Sequence, residues 1–166
     1  MFKKIVVALD MSPMAEEVFK KALSIAKSDR AELILLHVIS SEEDNSPLAI
    51  PPNIFDLYPA AGNELTIETW QEEWENYLQE GIKLLTQYNQ KAIASDVQAQ
   101  YFQLQGSSGS TICQFARDHH ADLIVIGRRG RTGLSEMFLG SVSNYVLHHA
   151  YCSVLIVQQN YPPKSS

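Results

Sequence analysis

Apolar residues in this chain fall into short unbroken runs, separated by stretches in which they recur every three or four positions. The runs are Lys3–Leu9, Glu32–Ile39, Leu123–Ile126 and Ser153–Val157. Their length reads as strand, and their lack of alternation reads as burial on both faces, as in a parallel sheet. Val97–Gln103 alternates instead, which predicts a strand with one less buried face. Ala15, Val18, Phe19, Ala22 and Ala26 then repeat at helical spacing. Ser12 stands ready to cap that helix, with Pro13 at its first position and Glu16 and Glu17 in its first turn. A second helix is predicted over about residues 64–89, its stripe built from Ile67, Trp70, Trp74, Tyr77, Leu78, Leu85 and Tyr88. Core packing accounts for those aromatics better than a cofactor box does. A third helix starts near Ser107 or Ser108, with Ile112, Phe115 and Ala116 inward, and a fourth spans Ser141–His149. Five strands alternating with helices imply right-handed crossovers and an open parallel sheet with helices on both faces, an α/β fold.

The segment 40–63 breaks the alternation. It holds Pro47, Pro51, Pro52 and Pro59, yet also Leu48, Ile50, Ile54, Phe55, Leu57 and Tyr58. So long a connection is either a lid or contact surface, or a loop without a role. A chain of 166 residues with 45% apolar content suits one folded domain, here residues 1–160, with 161–166 as a frayed tail. No apolar run approaches a membrane span, and MFKKIVVALD does not read as a signal peptide. Cys113 and Cys152 lack CxxC spacing, which fits thiols in a reducing cytoplasm.

Charge is uneven. The net charge is −6, and residues 31–82 hold eleven acidic side chains and no Lys or Arg. Arg128, Arg129 and Arg131 cluster in one loop. Such a short basic stretch does not make a nucleic-acid face, which needs a wider one; it suggests a local anion site, or else solvated loop residues, the reading preferred for Arg128 and Arg131 individually. Catalytic signatures are missing: there is no Gly-x-Ser-x-Gly, and neither His119-His120 nor His148-His149 has the spacing of a two-His metal face. His37 lies on a strand read as buried and is expected to be a satisfied core histidine.

The chemistry concentrates in GRRGRTGLSEMFLGSVSNYVL, directly after DLIVI. Gly127, Gly130, Gly140 and Ser141 form Gly-x2-Gly-x9-Gly-Ser between a strand and a helix. Glycine lets backbone N–H groups approach a ligand, and a helix N-terminus adds free donors and the positive end of the macrodipole. That is the chemistry of a phosphate site; on spacing alone a glycine-rich turn explains it as well. The stretch is neither a P-loop, since no Gly-Lys pair exists, nor a dinucleotide fingerprint. Asp10 ends the first strand. Its carboxylate suits a ribose hydroxyl or the surroundings of a phosphate-bound cation, or else it caps the next helix with Ser12.

The glycine spacing resembles the signature of the universal stress protein family, in its ATP-binding branch. KKIVVALDMSP, LILLHVIS and CSVLIVQ are similar to that family's first, second and last strands. The resemblance covers about residues 2–39 and 64–158. It implies strand order 3-2-1-4-5, which brings the ends of strands one and four, Asp10 and Gly127, to one crevice. It also implies roles. Asp10 would meet the ribose, Val38 the adenine through its main chain, and Gly127 the ribose and α-phosphate. Gly130, Gly140, Ser141 and Val142 would hold the phosphates of ATP, with Mg²⁺ neutralising their charge. Met11 would be an adenine wall and Arg129 an additional phosphate contact. ATP hydrolysis would be slow at most. A homodimer would pair through strand five, Ser153, Val154, Leu155, Ile156 and Val157. The family often has Pro before its last strand; this chain has Tyr151-Cys152-Ser153 there. The alternatives are a dimeric interaction module of the same fold without a nucleotide, and a nucleotidyl transferase-like enzyme.

Overall fold

Strand and helix alternate along the chain as the hydrophobic pattern predicts. The computed structural model describes residues 1–43, 46–47, 63–128 and 140–158, with backbone alone for 63–67. The strands are β1 (Lys4–Ala8), β2 (Glu32–Ile39), β3 (Ala99–Gln105), β4 (Leu123–Gly127) and β5 (Ser153–Val157). The helices are α1 (Met14–Asp29), α2 (Asn63–Ile93), α3 (Ser108–Asp118) and α4 (Ser141–His149). All strand pairs are parallel, in the order β3-β2-β1-β4-β5.

Successive strand residues point to opposite faces, so each apolar run feeds two cores. Ile5, Val7, Leu33, Leu35, Leu123 and Val125 pack with Phe19 and Ala22 of α1 and Leu85 and Tyr88 of α2. Val6, Ile34, Leu36, Ile124 and Ile126 pack with Ile112 and Phe115 of α3 and Val146 of α4. The three middle strands are buried on both sides, while β3 has exposed Gln100 and Tyr101. Burial of this kind stabilises by about 25 cal/mol per Å² of apolar surface removed from water.

Several boundaries differ from the sequence reading. The first helix begins at Met14, with Pro13 at the cap position, so Ser12 acts one step earlier by accepting a hydrogen bond from the Met14 N–H at 3.3 Å. Helix α2 runs on to Ile93, and the turn that follows uses Asp96 at φ 60° and returns the Val97 N–H to Ala92. Val97 therefore belongs to the turn, and β3 starts two residues later than expected. Leu48, Ile50, Ile54, Phe55, Leu57 and Tyr58, the proline-rich part of the 40–63 segment, lie outside the described residues, as do Arg129, Gly130, Arg131 and the tail 161–166.

Candidate functional site

In a parallel sheet every strand ends on the same side, and the helices that follow begin there. Where neighbouring strands send their connections to opposite faces, a crevice opens. Here β1 leads to α1 on one face and β4 leads to α4 on the other. A cleft of about 390 Å³ lies at that place, within the size range of small-molecule sites. Asp10, Val38, Gly127, Gly140, Ser141 and Val142 all line it. Six residues selected from three separate stretches of sequence thus meet around one volume. Met11 does not line the cleft; Met14, one helical turn further on, stands there instead. Arg129 and Gly130 fall outside the described residues.

Val38 lines the cleft near the end of β2. In a parallel strand the N–H and C=O of alternate residues point to the same neighbour. The Leu36 carbonyl accepts the Leu9 N–H at 2.9 Å, on the β1 side. Val38, two residues on, faces the same side, past the end of β1. By that alternation its N–H and C=O lie on the β1 side.

One wall of the cleft is built from the start of α4. Its cap position is Gly140, with no side-chain cap, and there is no acidic residue in its first turn. The first N–H groups of such a helix have no partner within it, and the macrodipole favours an anion there. Gly140 has φ −58° and ψ 156°, a conformation open to any residue. Backbone strain therefore does not require glycine there. Gly127 has an additional duty: a Cβ there would come within 2.7 Å of Met14 Cγ and 3.0 Å of Val18 Cγ2. That glycine lets α1 pack over the end of β4.

Asp10 does what its position at a helix entrance allows. Its Oδ1 accepts the Ser12 N–H at 3.1 Å and the Ser12 hydroxyl at 2.5 Å. Asp10 thus closes a turn just ahead of α1, which has no side-chain cap bond, and lines the cleft as well.

Glu43 is a cleft residue that the sequence reading missed. Ser40 begins a turn in which its carbonyl accepts the Glu43 N–H and its hydroxyl accepts the Glu42 N–H. The turn folds the Glu43 carboxylate back under β2, where the residue is 6% exposed. Oε1 accepts the Met11 N–H at 2.9 Å, His37 Nε2 lies 2.9 Å from Oε2, and the Tyr77 hydroxyl donates to Oε2. The Gln103 amide lies 3.1 Å from His37 Nδ1 and donates to the Leu78 carbonyl at 3.2 Å. With Gln103 donating to Nδ1, the other ring nitrogen is the N–H donor to Glu43. His37 is fully buried and satisfied, as its sequence position implied. Burial works against the charge on Glu43, but the bonds from His37, Tyr77 and Met11 outweigh it and hold the carboxyl below its usual range. The available signal was a buried His37 in need of a partner, with acidic residues in the very next turn.

Among the described residues no group of three or more His, Cys, Asp or Glu is arranged to hold a metal ion, and no helix is long and apolar enough to cross a membrane.

Known proteins agree with this architecture. The family model described as the universal stress protein family matches residues 1–158. A universal stress protein of Synechocystis sp. is 52% identical over 102 residues, covering 61% of this chain and 94% of that protein. A second from the same organism is 37% identical over 157 residues, covering 95% and 98%. Among solved structures, a universal stress protein family protein of Arabidopsis thaliana with AMP bound shares the fold at TM-score 0.60 and 21% identity, covering 99% of this chain and 97% of that one. Universal stress proteins solved in complex with cAMP and dAMP share it at TM-scores 0.62 and 0.59, with 22% and 20% identity. With its sheet order, its cleft and a family match from end to end of the described strands, the chain belongs to the universal stress protein family.

Proposed function

We propose that this protein binds ATP, with Mg²⁺ on its phosphates, as a stress-response or signalling protein that hydrolyses the nucleotide slowly at most. The observation that carries this reading is the convergence of Asp10, Val38, Gly127, Gly140, Ser141 and Val142 on one cleft at the ends of β1 and β4. Each offers chemistry suited to one part of the ligand. Val38 turns backbone donor and acceptor toward an adenine edge, Asp10 a carboxylate toward the ribose, and the α4 N-terminus its N–H groups toward phosphate. The acidic surroundings give Mg²⁺ a clear task, since a bare triphosphate would meet Asp10 and Glu42 in the same cleft. Gly130 and Arg129 complete the proposed contacts, with Met14 in place of Met11 as the apolar wall. That related folds hold AMP, cAMP and dAMP supports an adenine nucleotide as the ligand class.

The proposal includes a homodimer formed along β5 in the cytoplasm. β5 ends the sheet and is apolar; such an edge invites pairing, and a two-fold axis closes it at two subunits. Cys113 and Cys152 are free thiols, which suits a reducing compartment. The test of the ligand is direct. Protein purified without denaturant is acid-extracted and the extract separated by anion-exchange chromatography. Adenine nucleotide near one equivalent is expected. An empty extract, together with no gain in thermal stability on adding MgATP, would overturn the reading.

A further inference from the structure

Glu43 sits where the cleft, β2 and α2 meet, and its carboxylate links all three. On one side it takes the Met11 N–H, in the loop that carries Asp10. On the other it takes His37 of β2 and Tyr77 of α2. The Met11 peptide immediately follows Asp10, whose carboxylate is itself tied to Ser12. Hold the Met11 N–H, and the orientation of the Asp10–Ser12 turn is held with it. We infer that Glu43 is a positioning residue, which fixes the Met11 peptide so that Asp10 presents its carboxylate to a ribose hydroxyl in one geometry. The inference rests on the nucleotide reading above for its ligand, but not for the tie itself.

The chemistry of the anchor explains why a carboxylate is needed. Three donors converge on it: a backbone N–H, a ring N–H and a phenol O–H. An ionised carboxylate is acceptor-only and offers enough lone pairs for all three. An amide of the same shape offers one oxygen and adds two donors of its own. Glu43→Gln therefore sets an amide N–H against one of the existing donors. The ring and phenol are held by packing, since His37 is 0% and Tyr77 5% exposed. The loop peptide is the partner free to give way. A purely structural role would be felt elsewhere, as a looser seat of α2 on β2, and would leave ribose discrimination alone.

Packing shows how tightly the support is built. Gly81 of α2 lies directly over it, and a Cβ there would stand 2.2 Å from Gln103 Nε2 and 2.6 Å from His37 Nδ1. The helix thus passes close to the Nδ1 edge of His37, away from the Nε2 that meets Glu43, and any side chain at position 81 would collide with the ring.

Two readouts test the tie. The first needs no ligand: amide hydrogen exchange at Met11 in the free protein, with Val6 and Val7 of β1 as internal reference. In Glu43→Gln the Met11 amide is expected to exchange about tenfold faster or more, the loss of a charge-assisted bond, while the reference amides keep their protection. The second is the ratio of affinities for MgATP and its 2′-deoxy analogue. That ratio is expected to fall toward one in Glu43→Gln, because a loosened turn no longer holds Asp10 to the hydroxyl. Unchanged Met11 exchange overturns the inference, as does an unchanged ratio alongside a lowered melting temperature. If Glu43→Gln does not fold, Tyr77→Phe decides, with a rise of about threefold in Met11 exchange expected from losing one neutral donor; no rise overturns it. If the wild-type protein binds neither nucleotide, the functional reading fails by itself, and the exchange result still settles the tie.

Discussion

Gly81→Ala separates two opposite expectations. In an ordinary helix interior, replacing glycine by alanine stabilises by about 1 kcal/mol through backbone entropy. Gly81 lies near the middle of α2, so sequence alone would recommend the change. The structure reverses it. The new methyl would overlap Gln103 Nε2 at 2.2 Å and His37 Nδ1 and Cε1 at 2.6 and 2.9 Å. Gln103 is half-buried and can swing away, at the cost of its bonds to His37 and Leu78, about 1 kcal/mol each. His37 is 0% exposed and held by Glu43, so overpacking of about 1–3 kcal/mol remains. Against the helical gain, the net expectation is a destabilisation of about 2–4 kcal/mol. Urea denaturation followed by far-UV circular dichroism reads it as a lowered midpoint at constant slope. The double variant Gly81→Ala/Gln103→Ala is expected to cost less than the sum of the singles by about 2 kcal/mol, since both lose the same two bonds. A Gly81→Ala protein as stable as wild type, or more stable, would refute the packing argument.

The other expectations concern the cleft, pH and assembly. Gly140→Ala is expected to keep its fold, because φ −58° and ψ 156° suit alanine, yet to weaken MgATP binding at least tenfold, or about 1.4 kcal/mol, by calorimetry; unchanged affinity would mean the phosphates lie further from α4. Glu43 has its carboxyl held below the 4.5 of the unfolded chain, so the stability it contributes is present above that pH and lost as pH falls through the folded value. The difference in melting temperature between wild type and Glu43→Gln is therefore expected to shrink from about pH 5 downward, and a constant difference would contradict the ionised anchor. Light scattering at micromolar concentration is expected to give twice the chain mass, and Leu155→Lys to shift it toward one. Val157 is a poor site for that test, being 5% exposed and part of the core, so that Lys there would damage the monomer itself. A wild-type monomer would remove the β5 interface.

Elements whose pattern is dominated by burial were the most legible in the sequence. Glu32–Ile39, Ser141–His149 and Ser153–Val157 have the bounds that their apolar runs and glycine neighbours indicate. Ends governed by local hydrogen bonding were harder to place. Asp96 closes α2 with a left-handed residue that is not glycine, and so gave no punctuation mark to read. The cleft was legible because its residues fall at strand ends and at a helix start, where chain connectivity alone brings them together. Met14 rather than Met11 lines the cleft. Glu43 was not legible. It is one of many acidic residues in its region, and only the Ser40 turn converts it from a solvated charge into a buried anchor. Gly81 was equally opaque, since its meaning lies in a contact with His37 and Gln103, which are distant in sequence.

The central claim is that the cleft between β1 and β4 is a site for adenine nucleotide. Isothermal titration of nucleotide-free protein with MgATP tests it most directly, with Gly140→Ala run in parallel. Saturable binding near one site per chain is expected for wild type, and weaker binding for a variant that melts at the same temperature. No heat of binding in wild type at any accessible concentration, or equal affinity in both proteins, would contradict the assignment.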